Sequence, residues 1–194
     1  MAMAADKKTE NGSLYEWVQA VVCSVLAAVL LFTFGVRIVG VSGDSMRNTL
    51  QNGDMLLVLN NLFCSAYHAG DIVIAAKPSF ESGEPIVKRV VATEGQTVDI
   101  DFDAGEVYVD GTALNEPYIR EATHLMEGTQ FPLTVPEGCI FIMGDNRNDS
   151  RDSRDPALGV VDTRYVIGRA VFLLLPGETA ELNQREWSRA GKLK

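Results

Sequence analysis

The stretch that decides the fold is WVQAVVCSVLAAVLLFTFGV, residues 17–36. It carries no charged side chain. At about 1.5 Å rise per residue, a helix of this length spans about 30 Å, the thickness of the hydrocarbon core of a bilayer. Trp17 suits one membrane interface, and Arg37 ends the run at the other. The sequence therefore predicts a transmembrane anchor over residues 17–37, after a short cytoplasmic leader of residues 1–16.

A cleaved secretory signal is the alternative interpretation of this run. Its best cleavage site, Val41-Ser42-Gly43, would cut just before the polar residues around Ser45 and would remove the extended segment that leads to them. The run is also longer than an ordinary signal core, so we expect a retained anchor. Lys7 and Lys8 precede it and most acidic residues follow it, which favours an N-terminus inside the cell and the remaining chain outside.

Length and composition bound the possible functions. The chain has 194 residues, enough for one core of ordinary size. Its net charge of −9 argues against nucleic acid as a partner, since such a surface would be basic. Cys23, Cys64 and Cys139 lie far apart and form no C-x-x-C motif, which argues against a zinc knot or a thioredoxin-like site. Whether Cys64 and Cys139 pair is left open.

The residues after the anchor have the pattern of short strands. Asp110-Gly111 is a strong hairpin signal, and no long amphipathic helix interrupts the series. This predicts a mainly β protein, with an antiparallel β domain over residues 38–177, in the form of a barrel or sandwich, and a polar tail over residues 178–194. The strand that contains Leu56 and Val58 is either core or an edge that dips into the membrane. The predicted strands are residues 55–59, 71–76, 85–91, 96–101, 106–114, 139–143 and 165–174.

One strand contains an unexpected lysine, Lys88, beside Arg89. Neighbouring residues of a strand point to opposite faces, so at least one of the two faces inward. A lysine that guards an edge strand is one explanation. The other is a general base, which needs a pKa of roughly 7–8 instead of about 10.4. Burial can shift a lysine that far, and a neutral Lys88 could then deprotonate Ser45 without any histidine.

A polar loop, MGDNRNDSRDSR at residues 143–154, follows another strand. The Ser150 hydroxyl is expected to hydrogen-bond the amine of Lys88. The acidic spacing is reminiscent of calcium loops, but the loop carries three arginines and lacks the glycine of the EF-hand turn, so we predict no metal. Charge-assisted pairs are instead expected to stiffen it, formed among Asp145, Arg147, Arg151, Asp152 and Arg154.

Taken in order, these segments resemble the successive boxes of type I signal peptidases, the membrane-anchored Ser/Lys endopeptidases that remove signal peptides. The resemblance covers nearly the whole chain, and the single anchor is similar to the short bacterial form. It departs at Asn48, where the family commonly has proline. It rests on the anchor and on GDSMRNTL (43–50), AGDIVIA (69–75), IVKRVVATEG (86–95) and MGDNRNDSRDSR (143–154).

The resemblance implies roles for individual residues. Ser45 matches the nucleophile, Lys88 the general base and Ser150 the hydroxyl that positions the lysine. Gly43 stands where some members carry a serine that helps to hold the oxyanion, so the oxyanion would be held by backbone N–H groups, including that of Ser45. The remaining matches are two supporting ion pairs, Asp145 with Arg89 and Asp152 with Arg154, and the substrate-binding residues Met46, Ile86 and Val87.

The resemblance also implies an architecture and partners. The expected fold is an antiparallel β domain built on an SH3-like barrel, with a smaller β-ribbon part inserted at residues 94–136. The expected substrates are secretory preproteins, bound in extended form and cut after small P1 residues in Ala-x-Ala sites. The reaction needs no cofactor and no metal. The enzyme would be a single-pass protein of the cell membrane, in contact with the lipid bilayer, with its catalytic domain on the extracytoplasmic side.

Two other functions remain to be weighed. A catalytically inactive, membrane-tethered β module that acts as an assembly partner would be favoured by the loss of Ser45 or Lys88, and both are present. Self-cleaving repressors use a related Ser/Lys site, but they carry a DNA-binding domain where this chain has its apolar run.

Overall fold

A computed structural model describes residues 6–178 and 185–193, in which an N-terminal helix precedes a series of β-strands. Helix α1, Asp6–Leu30, continues into a π-helical turn, Leu31–Gly35. Within the described residues, the segment Leu14–Gly35 is the one helix long and apolar enough to cross a membrane, with a mean hydropathy of 2.2. The helical segment ends two residues before the predicted boundary, because the β-branched residues that follow Gly35 enter a strand.

Twelve strands follow in the described residues. They are β1 Val36–Gly40, β2 Met55–Asn60, β3 Ile72–Ala75, β4 Ile86–Thr93, β5 Thr97–Asp101, β6 Glu106–Val109, β7 Thr112–Ala113, β8 Leu133–Thr134, β9 Cys139–Met143, β10 Val161–Asp162, β11 Val166–Leu175 and β12 Gly191–Lys192. Every predicted strand segment contains one, and the predicted hairpin turn separates β6 from β7 with positive φ at Asp110 and Gly111. The prediction of a mainly β, antiparallel fold with one N-terminal apolar helix is confirmed.

The strands form two antiparallel sheets. The larger has the order β1-β2-β11-β3-β4-β9-β10, with β12 also beside β11, and the smaller has the order β7-β6-β5-β8. Strand β11 organises the larger sheet, because it pairs with β2 along one edge and with β3 and then β12 along the other. Gly168 permits the approach of β2, since a Cβ there would lie 2.2 Å from the Leu59 carbonyl oxygen. The SH3-like barrel stays a prediction.

Three apolar clusters fill the β domain. Leu56 and Val58 are fully buried in one of them, so this strand is core and not a membrane-dipping edge. Cys64 and Cys139 are both free thiols. The smaller sheet shares one apolar cluster with β4 and β9 of the larger sheet. Its four strands lie between residues 97 and 134, inside the range expected for an inserted part.

Candidate active site

Ser45 lies in the loop of residues 41–54, which joins β1 to β2. The base of the loop is closed by two backbone hydrogen bonds: Val41 N–H donates to the Asp54 carbonyl at 2.8 Å, and Gly53 N–H donates to the Val41 carbonyl at 2.9 Å. Ser45 itself is half-buried. Ser45 is therefore carried by a loop whose two ends are hydrogen-bonded to each other.

The polar loop 143–154 holds the backbone on both sides of this serine. Asn146 N–H donates to the Ser45 carbonyl at 3.0 Å, and the Asn146 side chain donates to the Asp44 carbonyl at 3.1 Å. Gly43 adopts a φ of +87°, and its N–H donates to Asn52 Oδ1 at 3.2 Å. The Ser45 N–H has no acceptor among the described residues, so of these amides it is the one free to bind an incoming oxyanion.

Lys88 lies on β4 with its Nζ 2.8 Å from Ser45 Oγ. The register of β4 against β3 places it opposite Val73, and only 4% of the residue is exposed. Burial lowers the pKa of the Lys88 ammonium below its ordinary value, an effect that the Asp152 carboxylate opposes. The arrangement brings a hydroxyl into direct contact with an amine whose neutral form is favoured by its surroundings.

Ser150 lines the same cavity as Lys88 and is buried. Its hydroxyl donates to Asp152 Oδ2 at 3.0 Å, which leaves its oxygen lone pairs as acceptors. Gly144 permits this packing, because a Cβ there would lie 2.2 Å from Ser150 Oγ and 2.5 Å from the Ser45 carbonyl oxygen. Orientation of the Lys88 amine by Ser150 stays a prediction.

Arg89 and Asp145 form a buried ion pair next to Lys88. Arg89 Nε donates to Asp145 Oδ1 at 2.8 Å and Nη2 to Oδ2 at 2.7 Å, with side chains 1% and 0% exposed. Thr49 Oγ1 donates to the same carboxylate at 2.5 Å, and the Tyr118 ring covers the guanidinium at 4.0 Å. The pair therefore connects β4, the polar loop and the loop that carries Ser45.

Asp152 and Arg154 form a second buried pair, with two hydrogen bonds of 2.8 Å. Asp152 Oδ2 also accepts from the Gly144 N–H at 2.9 Å and from Ser150. Glu127 Oε2 lies 3.6 Å from Arg154 Nε and has no hydrogen-bond partner. Burial, followed by the charge of Asp152, raises the pKa of Glu127 to about 7. Both ion pairs expected from the sequence are thus formed beside the Ser45–Lys88 contact.

Two supporting contacts were not predicted from the sequence. Arg147 was expected to pair within its own loop, but its guanidinium binds both Glu116 oxygens, at 2.8 and 2.5 Å. Its partner lies 31 residues earlier, in a segment without a motif. Asn48 has a φ of +110°, which proline cannot adopt, and its side chain donates to the Tyr118 carbonyl at 3.0 Å. At this position a side-chain hydrogen bond from Asn48 to another segment therefore takes the place of the fixed φ of a proline.

A cavity of about 700 Å³ opens beside Ser45 and Lys88. All three side chains expected to bind substrate line it: Met46 and Ile86, which are buried, and Val87, which is half-buried. β4 pairs with β3 from Ile86 onward, but its pairing with β9 begins only at Arg89. The cavity is therefore bordered by a strand edge that has no partner among the described residues. Its other lining residues include 39–44, Ile74, Glu81, Glu84, Pro85 and 149–151.

Comparison with known proteins gives matches over most of the chain. The family described as "Signal peptidase, peptidase S26" matches residues 14–175. A signal peptidase I of Bacillus licheniformis is 36% identical over 183 residues, covering 90% of this chain and 96% of that protein. A probable signal peptidase I-1 of Synechocystis is 35% identical over 167 residues, covering 79% and 78%. A crystal structure of a signal peptidase I from Enterococcus faecalis is 32% identical, covering 54% of this chain and 97% of that one, with a TM-score of 0.44.

Proposed function

The chain belongs to the signal peptidase family, peptidase S26, whose members cleave signal peptides, and we propose that Ser45 and Lys88 carry out this cleavage. The observation that carries the proposal is the 2.8 Å contact between Lys88 Nζ and Ser45 Oγ. Because Lys88 is buried, its neutral amine can accept the serine proton. The inactive assembly module is not favoured, since nucleophile and base are both present and in contact.

The chemistry follows from this contact. Ser45 Oγ attacks the carbonyl carbon of the scissile peptide bond while its proton passes to Lys88 Nζ. Lys88 then gives that proton to the leaving amine, the C–N bond breaks, and an acyl ester remains on Ser45. A water molecule, deprotonated by Lys88, attacks the ester. The proton returns to Ser45 Oγ as the C–O bond breaks, which releases the new carboxyl terminus and the free enzyme.

Charge develops on the carbonyl oxygen during both attacks. A donor that already points at this position lowers the barrier without any reorganisation. The Ser45 N–H is available for this role, whereas the Gly43 N–H is occupied by Asn52. We assign the oxyanion contact to Ser45, and we assign to Gly43 the left-handed turn that aims this amide.

The substrate is an extended segment with small residues at P1 and P3. Support comes from the open edge of β4 at Ile86 and Val87, where a peptide can add as a further strand. Side chains alternate along such a strand, so P1 and P3 point to the same wall. The apolar side chains of Met46 and Ile86 line the cavity at this point, which suits the methyl group of alanine. Exported preproteins with Ala-x-Ala sites are therefore the proposed substrates.

The enzyme acts at the membrane surface. Helix α1 supplies the anchor, and Lys7 and Lys8 before it favour a cytoplasmic N-terminus and an extracytoplasmic β domain, with one membrane pass. A tethered site meets substrates that are already in the bilayer at high effective concentration.

The proposal is tested with the full chain in detergent micelles and a preprotein that contains one Ala-x-Ala site, with product masses measured by mass spectrometry. Ser45→Ala and Lys88→Arg should both abolish cleavage, because the first lacks the nucleophile and the second cannot lose its proton in this range. Lys192→Arg, at an exposed position, is the matched control and should cleave normally. More than trace activity in purified Ser45→Ala, or normal activity in Lys88→Arg, would contradict the assignment.

A further inference from the structure

We propose that Arg189, in the C-terminal segment, is a positioning residue that holds the Ser45 loop in its reactive geometry. The inference rests on the proposed function of Ser45. Arg189 ends a 3-10 turn, Trp187–Arg189, and binds Asp54 with both terminal nitrogens: Nη2 to Oδ2 at 2.6 Å and Nη1 to Oδ1 at 3.1 Å. Nη2 also donates to the Thr49 carbonyl at 3.3 Å. One guanidinium thus contacts the Ser45 loop at two points.

Asp54 is the residue through which this contact acts. Its backbone closes the base of the loop against Val41, and its buried carboxylate also accepts from Gln51 N–H at 2.8 Å and from Gly177 N–H at 2.7 Å. The side chain of Asp54 is 0% exposed, and that of Arg189 is 15% exposed. A carboxylate so deeply buried requires a counter-charge, and Arg189 supplies it.

Thr49 links the contact to the catalytic pair. Its carbonyl accepts from Arg189, while its hydroxyl donates to Asp145, the partner of Arg89. Thr49 N–H donates to the Met46 carbonyl at 3.1 Å, so the turn that follows Ser45 is hydrogen-bonded to the residue that Arg189 binds. A displacement of Thr49 is therefore transmitted to Ser45 along the backbone of residues 46–48 and through the hydrogen bond between Thr49 N–H and the Met46 carbonyl.

The segment that carries Arg189 is docked independently of this ion pair. Strand β12 pairs with β11 at Leu173↔Gly191 and Phe172↔Lys192, and Leu193 packs against the apolar cluster that contains Met46 and Leu50. Loss of the guanidinium should therefore leave the segment attached. Arg189 is not among the residues that line the cavity, so a positioning role does not require contact with substrate. These two facts distinguish positioning from both folding and binding.

The expected signature is a fall in kcat with little change in KM. Misplacement of a nucleophile by about 1 Å costs up to about a hundredfold in rate, so Arg189→Ala should lower kcat by about ten- to a hundredfold and change KM by less than about twofold. Arg189→Lys keeps the positive charge but not the bidentate geometry, so its kcat should lie between those of wild type and Arg189→Ala. The pH dependence of the rate, which belongs to Lys88, should not move.

The experiment measures kcat and KM of the full chain in micelles on one Ala-x-Ala peptide, for wild type, Arg189→Ala, Arg189→Lys and Arg185→Ala. Arg185, in the same segment, pairs with Glu178 in a partly exposed ion pair and serves as the matched control with unchanged kinetics. Free guanidinium at millimolar concentration should partly restore kcat in Arg189→Ala and leave wild type unaffected.

Two results would overturn the proposal: wild-type kcat in Arg189→Ala, whether or not KM is raised, or, where Arg189→Ala does not fold, wild-type kcat in Arg189→Lys. Failure of the Arg189 proposal can be distinguished from failure of the Ser45 assignment. The rate of each Arg189 variant is compared with that of wild type, and Ser45→Ala is tested separately. An active Ser45→Ala would remove the proposed nucleophile whatever Arg189 does. A silent Arg189→Ala beside an inactive Ser45→Ala would remove only the positioning role.

Discussion

The strongest prediction concerns Asp145→Asn, which removes the negative charge from the buried pair with Arg89 but keeps the size of the side chain. The wild-type carboxylate accepts two hydrogen bonds from Arg89 and one from Thr49, and both charged side chains are essentially inaccessible to water. The variant leaves a guanidinium buried without its counter-charge and turns one acceptor of the carboxylate into a donor.

The magnitude follows from the burial. Removal of one partner of a buried ion pair costs about 3–5 kcal/mol, because the remaining charge is uncompensated in a medium of low dielectric constant. The chain offers a matched control in Asp162→Asn, since Asp162 pairs with Arg164 at 2.6 Å, but the Arg164 side chain is 85% exposed. An exposed pair of that kind contributes little to stability, because water and salt screen its attraction. The two variants make the same chemical change and differ in burial.

The measurements are urea unfolding and thermal unfolding of the full chain in micelles, both followed by far-ultraviolet circular dichroism. For a domain of this size, about 3–5 kcal/mol corresponds to a fall in Tm of roughly 6–20 °C. Equal losses in Asp145→Asn and Asp162→Asn, or a loss below about 1 kcal/mol in the first, would refute the view that the buried carboxylate compensates Arg89.

Three further predictions use the same preparation. The kcat/KM of wild type should rise with pH through a pKa below the ordinary lysine value of about 10.4, because burial lowers the pKa of Lys88 and only the neutral amine can accept the Ser45 proton. A rising limb at or above that ordinary value in the pH–rate profile would contradict this prediction. The pKa of Glu127 is raised to about 7, so between about pH 4.5 and 7 the folded chain binds a proton that the unfolded chain lacks. The free energy of unfolding should therefore fall as the pH rises through that range. Urea titrations of Glu127→Gln should lack this fall. Gly144→Ala places a Cβ 2.5 Å from the Ser45 carbonyl oxygen and should lower kcat at least about tenfold in peptide assays. A wild-type kcat would contradict this prediction, because it would show that the loops 41–54 and 143–154 can move apart without loss of rate.

The parts of the fold that the sequence predicted are those with a repeating pattern. The anchor has an unbroken apolar run, and each of the longer strands after β1 has apolar or alternating residues bounded by turn residues. Strands β8, β10 and β12 have two residues each, which is too short for any pattern to show. Strand β1 was expected only as an extended segment and not counted among the strands, because its first residues, Val36 and Arg37, continue the apolar run and its interfacial cation.

The site divides in a similar way. Ser45 and Lys88 were found because a motif or a misplaced charge marked them. Arg147 was visible, but its partner Glu116 was not, and Asp54 lies 135 residues from Arg189. An ion pair leaves no local signal when its members come from distant segments, because either residue alone resembles an ordinary surface charge. The hydrogen-bond partner of the Ser150 hydroxyl was also not predicted, although it is Asp152, only two residues away.

The buried charges around Lys88 explain how burial can control its protonation. Arg89 and Arg154 are each paired with a carboxylate at hydrogen-bond distance. Desolvation is the largest contribution to the pKa of Lys88 and lowers it; the charges of Asp152, Glu81 and Glu127 raise this pKa, and the charge of Arg154 lowers it. Such pairs are weak sources of stability, because their desolvation offsets much of their attraction. In the proposed mechanism, these pairs hold together the segments that surround the Lys88 amine, which must lose its charge in order to act as a base.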